Sequence, residues 1–208
     1  MEITSIFDIG ANVGAFALAN KQCKIVAVEA SPYTFLRLQS NVQGTDITPL
    51  HYAVSNSENE TVDFYHCKSA DVLSTMDLRW LTSNESRFGH CGNDVEKLSV
   101  KTISLDKLVQ LYGKPDLIKI DVEGAEHLVL ASLSQKVPYI CFEWAAEWES
   151  EIIQAIDRLV TIGFTMFHIQ NLDVYTYRPP TFELTADDLK KTISQKRKRV
   201  DWGMIWAK

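Results

Sequence analysis

Short apolar runs alternate with helix-patterned segments along almost the whole chain, and this alternation restricts the fold more than any other feature of the sequence. Residues 3–9, 24–28 (KIVAV), 47–54, 116–120 (DLIKI), 139–143 (YICFE), 164–169 and 202–207 read as strands, with a further strand at 61–66. Helical spacing falls between them, at 13–19, 31–41, from Ser104 onward, at 124–133, 148–162 and 185–195. Punctuation agrees. Ser31 then Pro32 is an N-cap with proline at the first helical position, Gly163 stands where a C-terminal cap glycine belongs, and Thr185 with Asp188 has capping-box spacing. Strands linked by helices make a mostly parallel sheet covered on both faces, a doubly wound, three-layer α/β fold. At 208 residues and 46% hydrophobic content, one domain over 1–208 is expected, with an irregular insertion near 67–97 and a polar loop within it at 71–96.

Bulk properties exclude several functions. No apolar run is long enough to cross a bilayer, and MEITSIFDIG lacks a basic region followed by an apolar stretch, so no secretory signal is expected. Cys23, Cys67, Cys91 and Cys141 stand far apart without a CxxC pair and read as reduced thiols of a cytoplasmic protein. A net charge of -6 speaks against gripping nucleic acid. His66–Cys67 and His90–Cys91 are adjacent pairs without metal-ligand spacing, and no metal site is expected. The basic residues of 190–199 either solvate a helix end or attract an acidic substrate.

The stretch IFDIGANVGAF places Gly10, Asn12 and Gly14 directly after a strand, where ligands bind in open α/β sheets. A dinucleotide site needs glycine where Asn12 stands, so a smaller anionic group fits better. Glu29 ends the next strand about 20 residues on, where an acid can bind ribose hydroxyls. As a strand-end acid facing a ligand, it is expected to contribute little to the fold. The two features together point to a nucleoside cofactor.

D-x-G-A-N-x-G (Asp8, Gly10, Ala11, Asn12, Gly14), E-x-S-P (Glu29, Ser31, Pro32), H-Y-A-V-S (51–55) and I-K-I-D-V-E-G-A-E (118–126) resemble the FkbM family. The similarity runs from about residue 6 to 143, with a weaker echo in WGMIWAK. It implies a Rossmann-like, seven-stranded class I methyltransferase that uses S-adenosyl-L-methionine to methylate hydroxyls of sugars or small metabolites. It also implies that the turn of Asp8, Gly10, Asn12 and Gly14 holds the methionyl part of the cofactor, with Glu29, Ala53 and Asp121 as further cofactor contacts. The acceptor is then a small molecule or glycan, and nucleic acid is disfavoured as a partner.

An alcohol nucleophile must lose its proton, which calls for a positioned base or a metal. Asp121 and Glu123 follow the DLIKI strand and Glu143 ends YICFE, so a parallel sheet would converge these catalytic candidates. Other roles stay open. Asp8 braces the turn or touches the ligand; Glu126 pairs with Lys119 or another cation, or serves the site; Trp144 and Trp148 wall the pocket or pack. Two rival functions remain, an RNA methyltransferase on the same fold and a non-catalytic nucleoside-binding module.

Overall fold

The computed structural model describes residues 2–173 and 178–208. In chain order its elements are β1 (Ser5–Ile9), α1 (Ala15–Ala19), β2 (Lys24–Glu29), α2 (Pro32–Asn41), β3 (Ile47–His51), β4 (Ala53–Val54), β5 (Thr61–Cys67), α3 (Leu78–Thr82), β6 (Val95–Ile103), α4 (Leu105–Tyr112), β7 (Leu117–Ile120), α5 (Glu126–Ala131), β8 (Tyr139–Ala145), α6 (Glu149–Thr161), β9 (Phe167–Asn171), α7 (Ala186–Ile193) and β10 (Trp202–Ala207). Seven strands form one sheet in the order β3-β2-β1-β7-β8-β10-β9. It is parallel except where β10 runs antiparallel between β8 and β9. The fold is therefore the doubly wound α/β class expected from the alternation, with the seven-stranded, Rossmann-like sheet that the resemblance implies.

Strand residues alternate faces, and the core divides accordingly. Phe7, Ile9, Val26, Val28, Ile118, Ile120, Ile140 and Phe142 pack with α4, α5, α6 and α7 on one side. Ile6, Ile25, Ala27, Leu117, Cys141, Met204 and Trp206 pack with Phe16, Ala17 and Leu38 of α1 and α2 on the other. The Ser31 hydroxyl accepts from Thr34 N at 3.3 Å, and Asp188 N donates to the Thr185 hydroxyl at 3.2 Å, so both caps form as read.

The expected strand at 47–54 is divided. β4 leaves the main sheet and joins β6 and β5 in a second, three-stranded sheet. β6 has no counterpart in the strands read from sequence. It pairs antiparallel with β5 from Thr61↔Lys101 to Cys67↔Val95, so the segment between them is a long excursion from a hairpin. That excursion carries α3 and two short 3-10 turns, Asp71–Leu73 and Gly89–Asp94.

The chain order reverses between β1 and β7, where β2 and β3 lie to one side and β8 to the other. A crevice opens beyond the carboxyl ends of strands at such a point.

Candidate active site

A cavity of about 410 Å³ occupies this crevice. Gly10, Asn12, Glu29, Ala53, Asp121, Glu123 and Glu143 all line it, bringing together residues from β1, β2, β4, β7 and β8 or their ends. Asp8 and Gly14 lie outside the lining.

The glycine turn is shaped by the protein as much as for a ligand. Gly10 has φ +75°, and a Cβ there would stand 1.8 Å from the Asp121 carbonyl oxygen. Asn12 also takes a left-handed conformation (φ 50°), and its Oδ1 accepts from Val13 N at 2.7 Å. Asparagine suits this position because its side chain bonds the adjacent backbone.

Glu29 differs from the strand-end acid with few contacts that the sequence suggests. It is 7% exposed, and its two carboxylate oxygens accept from Asn12 N at 2.9 Å and Ser31 N at 2.8 Å. It therefore fastens the glycine turn to the start of α2. Burial raises its pKa to about 7 against the opposing pull of those backbone donors. Each carboxylate oxygen retains a second lone pair for a ligand hydroxyl.

Asp8 and Lys119 are register partners on adjacent strands, and Asp121 lies two residues beyond Lys119 on the same face. Lys119 Nζ accordingly stands 3.3 Å from Asp8 Oδ1 and 3.3 Å from Asp121 Oδ2, and donates to the Gly10 carbonyl at 3.3 Å. Burial opposes its charge, but Asp121 and Asp8 hold its pKa above the ordinary lysine value. Asp8 is fully buried, which raises its own pKa against the attraction of Lys119. Lys119 thus braces the floor of the crevice and fixes Asp121.

The three catalytic candidates do converge. Asp121, Glu123 and Glu143 each present a carboxylate oxygen, and these lie within 4.8 Å of one another, a spacing that also suits a divalent cation. Burial raises the pKa of Glu123 well above the usual carboxylate range, reinforced by Asp121 and Glu126. Burial does the same to Glu143, reinforced by Glu123 and Asp121. A raised pKa makes each a stronger base than an ordinary carboxylate when ionised.

Glu126 does not pair with Lys119. Its Oε1 accepts from Val122 N at 2.9 Å and Gly124 N at 3.4 Å, holding the turn that carries Glu123. Trp144 donates to the Gln170 carbonyl at 3.2 Å, and Trp148 meets Trp80 edge-on at 5.0 Å; both pack outside this cavity. The basic stretch is tied into the fold: Lys190 pairs with Asp157, Arg197 with Asp201 at 2.9 Å, and Arg199 N donates to Glu147 at 3.1 Å. Among the described residues, His66, Cys67, His90 and Cys91 form no cluster of metal-ligating groups, and all four cysteines are free thiols.

Sequence reasoning missed one wall. Asp71, Val72, Ser74 and Met76, from the excursion between β5 and β6, line the cavity, as do Tyr52, Phe64, Asp173 and Trp202. No periodicity marks 71–76; long-range contacts such as the bridge between Thr75 and Tyr65 and the bond from Thr75 to the Glu123 carbonyl bring the segment there.

Residues 8–177 match the Methyltransferase FkbM domain. The chain is 29% identical over 143 residues to the hexuronic acid methyltransferase AglP of Haloferax volcanii, covering 66% of this chain and 53% of that protein. It thus spans about half the length of that curated relative. Among solved structures, Aeropyrum pernix fibrillarin in complex with S-adenosyl-L-methionine is similar at 14% identity and a TM-score of 0.49, covering 100% of this chain and 67% of that one. The precorrin-6y C5,15-methyltransferase of Geobacter metallireducens is similar at 12% identity and a TM-score of 0.47, covering 100% and 81%.

Proposed function

The chain belongs to the FkbM methyltransferase family, and from that premise we propose that it transfers a methyl group from S-adenosyl-L-methionine to a hydroxyl of a sugar, glycan or small metabolite. One observation carries the reading: the ribose-facing acid Glu29 and the carboxylates of Asp121, Glu123 and Glu143 open into a single cavity.

The lining fits the cofactor. Tyr52, Ala53, Val54 and Phe64 offer an apolar seat for a base, Glu29 has lone pairs for a diol, and the acidic remainder suits a cationic donor. When bound, the donor supplies an electrophilic methyl, so that an S–CH₃ bond breaks as an O–CH₃ bond forms. The protein's part is to place the acceptor oxygen and remove its proton. One carboxylate of the Glu123–Glu143 pair takes that single proton, and Asp121, fixed by Lys119, orients the acceptor.

Incubation with labelled S-adenosyl-L-methionine and a panel of glycosides, small alcohols, lipids and RNA tests this. Label is expected on a glycoside or alcohol. Exclusive labelling of RNA, or tight donor binding with no transfer at all, overturns it. A nucleic-acid acceptor gains little support from the charges, because the net charge is -6 and Lys190 and Arg197 of the basic stretch pair with Asp157 and Asp201.

A further inference from the structure

We propose that Thr75 is a positioning residue for Glu123, and that its hydroxyl keeps the 71–76 wall of the cavity in register with the proton-accepting carboxylates; this rests on the function proposed above. Thr75 is fully buried. Its Oγ1 donates to the Glu123 carbonyl at 2.7 Å and accepts from Asp77 N at 2.9 Å, so the direction of the hydroxyl is fixed. Its backbone exchanges two hydrogen bonds with Tyr65 of β5, at 2.8 and 3.1 Å. Its neighbours Ser74 and Met76 both line the cavity. One residue therefore joins the small sheet, the cavity wall and the catalytic turn.

Glu123 needs such a hold. Its φ is 59°, a left-handed conformation that a non-glycine residue keeps only where its surroundings over-determine it. Gly124 follows at φ +93°, where a Cβ would meet Trp80 at 3.1 Å and Trp148 at 3.2 Å, so the turn is also confined from behind. Without the Thr75 hydroxyl the Glu123 peptide can rotate towards ordinary negative φ. That rotation carries its carboxylate out of the group it forms with Asp121 and Glu143.

Amide hydrogen exchange by NMR tests this without an acceptor. In Thr75→Val, which keeps shape and loses the hydroxyl, the Val122 and Gly124 amides are expected to exchange at least about tenfold faster than in the wild type. Thr75→Ser should restore wild-type exchange. With an acceptor from the panel, Thr75→Val should lower kcat about ten- to a hundredfold while the donor Kd is unchanged, and Thr75→Ser should recover it. Unchanged exchange at Val122 and Gly124, or equal behaviour of the Val and Ser variants, overturns the proposal. If Thr75→Val does not fold, Thr75→Cys, with a weak donor of similar size, gives the same reading. A wild-type protein that methylates nothing on the panel rejects the proposed function, while the exchange data still decide the role of Thr75.

Discussion

Gly10 and Asp121 meet backbone to backbone at the point where the sheet reverses its order. Asp121 N donates to the Ile9 carbonyl at 3.0 Å, and the Asp121 carbonyl occupies the space where a side chain on residue 10 would begin. The glycine that shapes this turn is thus required by the end of β7, which leads into Asp121 and Glu123.

Gly10→Ala should therefore damage both at once. The methyl cannot be placed without moving the β7 end, and the left-handed conformation adds strain of about 1–3 kcal/mol. Donor affinity should fall by more than about tenfold together with stability. Calorimetry and urea unfolding check the pair; wild-type affinity in the variant would contradict the contact.

Glu29→Gln should weaken donor binding and also lower stability by about 1–3 kcal/mol, because an amide nitrogen would face either Asn12 N or Ser31 N in a buried place. Equal stability with lost binding would show that the acid serves the ligand alone.

The same residue gives stability a pH dependence of defined sign. A carboxyl whose pKa rises on folding from 4.5 to about 7 stabilises the fold fully below its unfolded value, and that contribution is lost as pH rises through about 7. Unfolding free energies measured from pH 4 to 8 should show a declining component that Glu29→Gln removes. An unchanged slope in the variant would assign that dependence elsewhere.

For the transfer step the sign is opposite. As the proton acceptors of the proposed transfer, Glu123 and Glu143 act only when ionised, and their pKa values lie well above the usual carboxylate range. The rate should rise with pH on the acid limb. Glu143→Gln should lower kcat about 10²- to 10⁴-fold with donor affinity kept. Asp121→Asn should likewise reduce turnover more than donor affinity. A flat pH profile in the wild type would remove the carboxylates from the proton path.

Lys119→Met should cost about 3–5 kcal/mol by leaving Asp8 buried without its cation, and Asp8→Asn in the same chain should recover much of the loss. A double-mutant cycle with no coupling between the two positions would refute the brace.

The main sheet was legible because its strands are short, apolar and separated by well-capped helices; Ser31 and Thr185 announce α2 and α7 plainly. The convergence of Asp121, Glu123 and Glu143 followed from parallel strand ends alone. β6 escaped because the apolar residues of VEKLSVKTI, at 95, 98, 100 and 103, lack the strict alternation of a half-buried strand. The wall at 71–76 escaped for a different reason, since long-range bonds from Thr75 to Tyr65 and Glu123 place it and no local pattern records them. The backbone duties of Glu29 and Glu126 were equally hidden, because one carboxylate looks like another until its donors are known.

The antiparallel β10 has a consequence for biosynthesis. It is the strand that flanks β8 opposite β7, and Trp202 at its start lines the cavity, so Glu143 gains its second neighbour only after residues 202–207 have been translated. The glycine turn can form early in synthesis, yet the cavity cannot close until residues 202–207 have joined the sheet. A chain that stops short of β10 should therefore fail to capture the methyl donor.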